Sequence, residues 1–183
     1  DLSRWGADSV RCNVGGGSIC STRIQAGSGY PGLQTLFDCS SSDFSGRVPI
    51  IADGGIRNSG DIVKALAAGA DFVMLGSLLS GTEETPSDTI EVGGETRKVY
   101  RGMASREAQL AWRGKTSSLE GVATTVAHKG SVEHTLSDLE RGIRSGLSYS
   151  GARTIEDFQT VAEFVRQTRA GTVESGTHIM RVL

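Results

Sequence analysis

The chain has 183 residues, of which 37% are hydrophobic and 22% charged, with a formal net charge of −2. That balance is typical of a folded soluble domain, offers no basic excess for nucleic acid, and contains no apolar run near the roughly 18 residues a membrane span needs. No signal peptide is recognisable at the first residues, and Cys12, Cys20 and Cys39 are an odd set without metal-ligand spacing, so reduced thiols in a cytoplasmic protein are expected.

In chain order, residues 8–14 read as a short strand. It runs into Gly15-Gly16-Gly17-Ser18-Ile19-Cys20-Ser21-Thr22-Arg23, where glycines let backbone amides approach a phosphate and a thiol sits beside them. By itself the motif is weak, since such a sequence is more often a flexible turn followed by a small buried cysteine. Pro31 then marks a helix start, with Leu33, Leu36 and Phe37 on one face. A buried strand over 48–52 ends in Asp53-Gly54-Gly55, a second helix carries Ile62, Val63, Leu66 and Ala67, and a third strand over 72–75 closes on Gly76-Ser77. Alternating strands and helices predict a parallel α/β sheet whose chemistry lies at the carboxyl ends of the strands. A (β/α)8 barrel fits better than a doubly wound sheet, because the first turn lacks G-x-G-x-x-G spacing.

Residues 82–95 are acidic and glycine-containing and read as a mobile linker. Further on, Val132, Leu136, Leu139, Ile143 and Leu147 keep helical spacing and predict a buried stripe, with Glu133, Asp138, Glu140, Arg141 and Arg144 solvated. Cys12 reads as core and Cys39 as helical. His128 and His134 read as surface residues, and Trp112 either covers a ligand or anchors a loop.

Several of these segments resemble the IMP dehydrogenase and GMP reductase family. Gly15 to Arg23 is similar to its catalytic cysteine loop, Ile50-Ile51-Ala52-Asp53-Gly54-Gly55-Ile56 to its ribose-binding strand end, and Val73 to Gly81 to its second phosphate loop. Tyr100-Arg101-Gly102-Met103-Ala104-Ser105 resembles the purine-holding segment, Glu120-Gly121-Val122 the end of the flap, and Glu174-Ser175-Gly176-Thr177-His178 the dehydrogenase tail.

The resemblance implies a (β/α)8 TIM barrel of which this chain holds roughly the C-terminal half, strands six to eight with flap and tail. Residues 1–183 then form one catalytic barrel part, with 82–130 a mobile flap insertion and 165–183 a tail toward a neighbouring subunit. Three strands cannot close a barrel, so a partial chain, or completion by another polypeptide, is expected. Catalytic roles fall to Cys20, Thr22 and Glu120. A purine nucleoside monophosphate would be bound by Ser18, Asp53, Gly54, Gly55, Gly76, Ser77, Tyr100, Gly102, Met103 and Ala104. Gly29 and Tyr30 would meet the nicotinamide cofactor. A potassium ion would take backbone carbonyls of Gly15, Gly17 and Cys20, with Glu174, Ser175 and Gly176 from a neighbouring subunit of a homotetramer.

Two reactions share a covalent Cys20 intermediate in that family. The reductase branch converts GMP to IMP and ammonia with NADPH; the dehydrogenase branch oxidises IMP with NAD and uses an Arg-Tyr pair on the flap to activate water. Between Met103 and Glu120 this chain has Trp112-Arg113-Gly114-Lys115 and no Arg-Tyr pair, which favours the reductase, as do Ser21-Thr22-Arg23 and Gly29-Tyr30-Pro31. Gly32 departs from the family's usual glutamine, and the tail favours the dehydrogenase. A non-catalytic purine-nucleotide-binding subunit is a third reading, opposed by the presence of Cys20, Thr22 and Glu120 together.

Overall fold

The computed structural model describes residues 1–41 and 48–177. His178 lies outside the described residues. A parallel sheet is formed by β1 (Val10–Cys12), β2 (Ile50–Asp53) and β3 (Phe72–Met74), in that order. Arg11 pairs with Ile51 and Ile51 with Phe72, so these three share one face of the sheet. Residues one step along point to the other face. Cys12, Ile50 and Ala52 are buried there against Leu36, Ala65, Ala68 and Ala70.

The two crossovers are α2 (Gly32–Ser40), entered through Pro31, and α3 (Ser59–Ala67), where the Asn58 side chain accepts the Asp61 amide. Both helices cover the same side. The opposite side carries Arg11, Asp53, Phe72 and Met74 and stays open, with Phe72 60% exposed. This is the one-sided arrangement of barrel strands whose inner face is left uncovered among the described residues.

A second core joins α3 to α5 (Val132–Tyr149) and α6 (Ile155–Val161) through Ile56, Ile62, Leu66, Leu139 and Phe158. Gly142 and Gly146 let α5 lie directly on α3, since a Cβ at either would collide with Ser59 or Val63. The close seam explains a departure from the predicted stripe. Leu139, Ile143 and Leu147 pack inward, whereas Leu136, one turn before the seam, is exposed.

The stretch 82–95 holds a hairpin instead of a structureless linker. β4 (Thr89–Val92) turns through Gly93 and Gly94, both at positive φ, into β5 (Glu95–Arg101). Two consecutive left-handed residues are what a tight two-residue hairpin needs. β5 then pairs antiparallel with β6 (Ala123–Ala127), and α4 (Arg106–Arg113) lies in the connection between them. The hairpin is fastened to the body by a buried cation. Lys98 Nζ donates to the carbonyls of Thr82, Glu83 and Thr85 at 2.9, 3.1 and 2.6 Å. A short α7 (Arg169–Glu174) ends the described chain.

Candidate active site

The loops after β1, β2 and β3 converge as their strand order requires. Gly17, Ser18, Asp53, Gly54, Gly55, Gly76, Ser77, Tyr100 and Gly102 line one cleft of about 300 Å³. Gly54 and Gly55 have φ of +79° and +77°, and a Cβ on Gly54 would come within 3.2 Å of the Gly17 backbone. The loops therefore nest so tightly that only glycine fits. Asn13, itself at a φ of +148°, holds them together by donating to the Asp53 carbonyl at 2.9 Å. Asp53 lines the cleft, and its carboxylate lies 3.3 Å from the Arg11 guanidinium. Across the cleft the Tyr100 hydroxyl stands over Gly76, 3.0 Å from where a Cβ would be.

Beside this cradle lies a reactive cluster. Cys20 is exposed and its Sγ is 3.2 Å from Thr22 Oγ1. The loop turns here, and Thr22 opens the short helix α1 (Thr22–Gln25). Glu120 approaches from the far end of the insertion. The Ser21 amide donates to the Glu120 carbonyl at 2.8 Å, and the Val122 amide to the Ile19 carbonyl at 3.0 Å. Cys20 thus sits in a backbone bridge with Gly121.

The Glu120 carboxyl is held below the usual glutamate range, first by the Ser118 hydroxyl at 2.7 Å and then by a hydrogen bond from Thr22. The Thr22 hydroxyl is thus shared between the Glu120 carboxyl and the Cys20 thiol, and in its contact with the thiol either group can donate. When Thr22 donates to the carboxylate its lone pairs accept from the thiol, and the contacts then run thiol to hydroxyl to carboxylate. Such a chain can carry a proton away from sulfur.

The match to a family model for the IMP dehydrogenase / GMP reductase domain runs over residues 1–178. The chain belongs to the IMP dehydrogenase / GMP reductase family. Among its relatives, inosine-5'-monophosphate dehydrogenase of Nitrosopumilus maritimus is 47% identical over 97% of this chain and 40% of its own length. GMP reductase of Leishmania major is 45% identical over 97% of this chain and 38% of its own. A crystal structure of a GMP reductase variant from Trypanosoma brucei in complex with guanosine 5'-monophosphate superimposes with a TM-score of 0.92 at 48% identity, covering 98% of this chain and 38% of that one. The chain spans about two fifths of the length of these relatives. Its three-stranded sheet and helices accordingly match part of a (β/α)8 barrel.

Within this family domain, the expected site residues fall into separate places. Ser18, Asp53, Gly54, Gly55, Gly76, Ser77, Tyr100 and Gly102 share the cleft, and Cys20, Thr22 and Glu120 form the cluster at its rim. Met103 is 71% exposed and does not line the cleft, and Ala104 lies against Gly121. Gly29 and Tyr30 line a neighbouring groove of about 380 Å³ with Arg23 and Pro31. Tyr30 is anchored there, its hydroxyl donating to Asp38 at 2.8 Å. Ser175 lines a different groove, against Leu33, Lys64 and Phe158 on the helical side. Trp112 is 66% exposed and covered by the Arg113 guanidinium at 4.3 Å.

Sequence reasoning missed several supporting groups. Arg11 had a signal, because strand alternation places it opposite the buried Cys12. Lys129 lies in Lys129-Gly130, which resembles the family's return into the barrel, but its contact has no local signal: Nζ donates to the carbonyls of Ser77 and Leu78 at 2.9 and 3.1 Å. Partial burial lowers its pKa.

Proposed function

We propose that this chain carries the nucleotide cradle and catalytic cluster of a GMP reductase, which converts GMP, NADPH and two protons to IMP, ammonium and NADP. The observation that carries this reading is the insertion itself. Among the described residues between Met103 and Glu120, α4 and the turn after it present Trp112, Arg113, Gly114 and Lys115, with no Arg-Tyr pair to activate water. Glu120 meets Thr22 and, through it, Cys20. A site that only bound nucleotide would have no use for that alignment.

In this mechanism the phosphate lies against the amides and hydroxyls of Ser18, Gly55, Gly76, Ser77 and Tyr100, and Asp53 accepts the ribose hydroxyls. The purine edge meets the amides of Met103 and Ala104. Cys20 passes its proton through Thr22 to Glu120 as Sγ bonds to C2 of the purine. The same relay returns that proton to the departing amino group, leaving a thioimidate. The nicotinamide cofactor supplies a hydride to C2 when bound, and the groove at Gly29 and Tyr30 is open enough to receive its ring. As C2 gains hydride, sulfur leaves as the thiolate.

The carbonyls of Gly15, Gly17 and Cys20 offer hard oxygen donors suited to a monovalent cation. Gly17 already accepts the Cys20 amide at 3.1 Å and keeps a second lone pair for it. The remaining donors would be Glu174, Ser175 and Gly176 of a neighbouring copy in a tetramer.

Initial rates of the full-length enzyme with GMP and NADPH, and separately with IMP and NAD, test the reading. Turnover with the first pair, abolished in Cys20→Ala, is expected. Turnover only with IMP and NAD would replace it by the dehydrogenase reading, which the tail motif favours. A covalent adduct on Cys20 with a 6-chloropurine nucleotide is expected in either case, and its absence would favour a binding subunit.

A further inference from the structure

Gln109 occupies the inward face of α4 and is only 3% exposed. All four hydrogen-bonding valences of its amide are filled. Nε2 donates to the carbonyls of Ala104 and Ser118 at 3.1 and 2.8 Å, while Oε1 accepts the Ser117 amide at 2.6 Å and the Ser117 hydroxyl at 3.0 Å. One buried side chain thereby joins the two ends of the insertion. Ala104 follows Met103 at the purine-reading end, and Ser118 holds the Glu120 carboxylate at the other.

An apolar residue would fill this position on a helix without the desolvation that a buried amide must offset. The fully used amide instead fixes the path of 117–120, which no regular element supports. The next tie is the Ser21 amide on the Glu120 carbonyl, so an error in this path reaches the catalytic cluster within two residues.

We propose that Gln109 is a positioning residue that sets Glu120 against Thr22 and Cys20 through Ser117 and Ser118. The proposal rests on the catalytic reading of Glu120 given above. Ala104 keeps its place independently, because Ser105 is fully buried and caps α4 by accepting the Ala108 amide at 3.2 Å. Loss of the Gln109 amide should therefore fall on kcat more than on nucleotide KM.

The test compares the full-length enzyme with Gln109→Met, which keeps volume and removes the amide, and Gln109→Glu, which keeps the acceptor and removes both donors. Each is measured for kcat, KM, thermal midpoint and exchange of the Ser21 amide. In both variants kcat should fall about tenfold with nucleotide KM within about twofold, and Ser21 exchange should quicken about tenfold. An unchanged kcat, a fall matched by a rise in KM, or unchanged Ser21 exchange would overturn the proposal. Rates are taken with both substrate pairs, so a dehydrogenase would refute the reductase reading while still reporting on Gln109. If neither pair reacts, Ser21 exchange decides.

Discussion

The order of contacts from Cys20 to Thr22 to Glu120 makes Thr22→Val the sharpest perturbation. Valine matches threonine in shape and has similar helix propensity, so α1 should persist while the single hydroxyl between thiol and carboxylate is lost. General acid–base groups contribute about 10² to 10⁴ in rate. Here the lower end is expected, for two structural reasons. Glu120 keeps its 2.7 Å bond from Ser118 and so its carboxylate, and the exposed Cys20 can surrender its proton to water instead. A fall in kcat of about 10²-fold, equivalent to about 2.7 kcal/mol, follows. Thr22→Ser restores the hydroxyl and should remain within about threefold of the parent. The assay is the initial rate against GMP at saturating NADPH, followed by nicotinamide absorbance. If Thr22→Val keeps its kcat within about threefold, the relay is wrong and the 3.2 Å contact has no catalytic role.

Three further outcomes follow from the same structure. Glu120 has a lowered pKa in the folded protein, so work that needs its carboxylate is present above that pKa and fades as pH falls through it. Ser118→Ala removes the largest cause, so the acid limb of kcat should move to higher pH; no movement would dissociate Glu120 from the rate. Lys98→Met strips a buried ammonium from three carbonyls and should destabilise by about 3 kcal/mol in chemical denaturation, an unchanged midpoint refuting the clasp. Burial pushes the Cys12 thiol up to about 11, so iodoacetamide near neutral pH should modify exposed Cys20 and spare Cys12 until unfolding, as read by peptide mass.

The legible parts of the chain were those where pattern and burial agree. The strand ending in Asp53, the Pro31 helix entry and the glycine turns all announce themselves locally, and the three-loop cleft follows from parallel strand order alone. The insertion was legible only as motifs. β4 and β5 carry Thr89, Glu91, Glu95, Arg97 and Lys98, too polar to show a strand's alternation, and their pairing depends on a glycine turn and on a lysine that looks solvated from sequence. Gln109 was hidden for the same reason: a buried amide has meaning only through the backbone atoms around it, and these come from segments on both sides of its helix. The exposure of Leu136 was equally invisible, because it depends on where α3 ends beneath α5.

The cleft and the cluster are each assembled from two sheets that share no strand. Asp53 and the glycine nests stand on the parallel sheet, whereas Tyr100, Met103 and Glu120 are borne by the antiparallel one. The seam between them is made of backbone bridges at Cys20 and Thr82 and of the tethers from Lys98 and Lys129. Cleft and cluster thus exist only where the two sheets meet, with Cys20 and Thr22 supplied by the loop after β1 and Glu120 by the segment before β6, so a shift of one sheet against the other disturbs both at once.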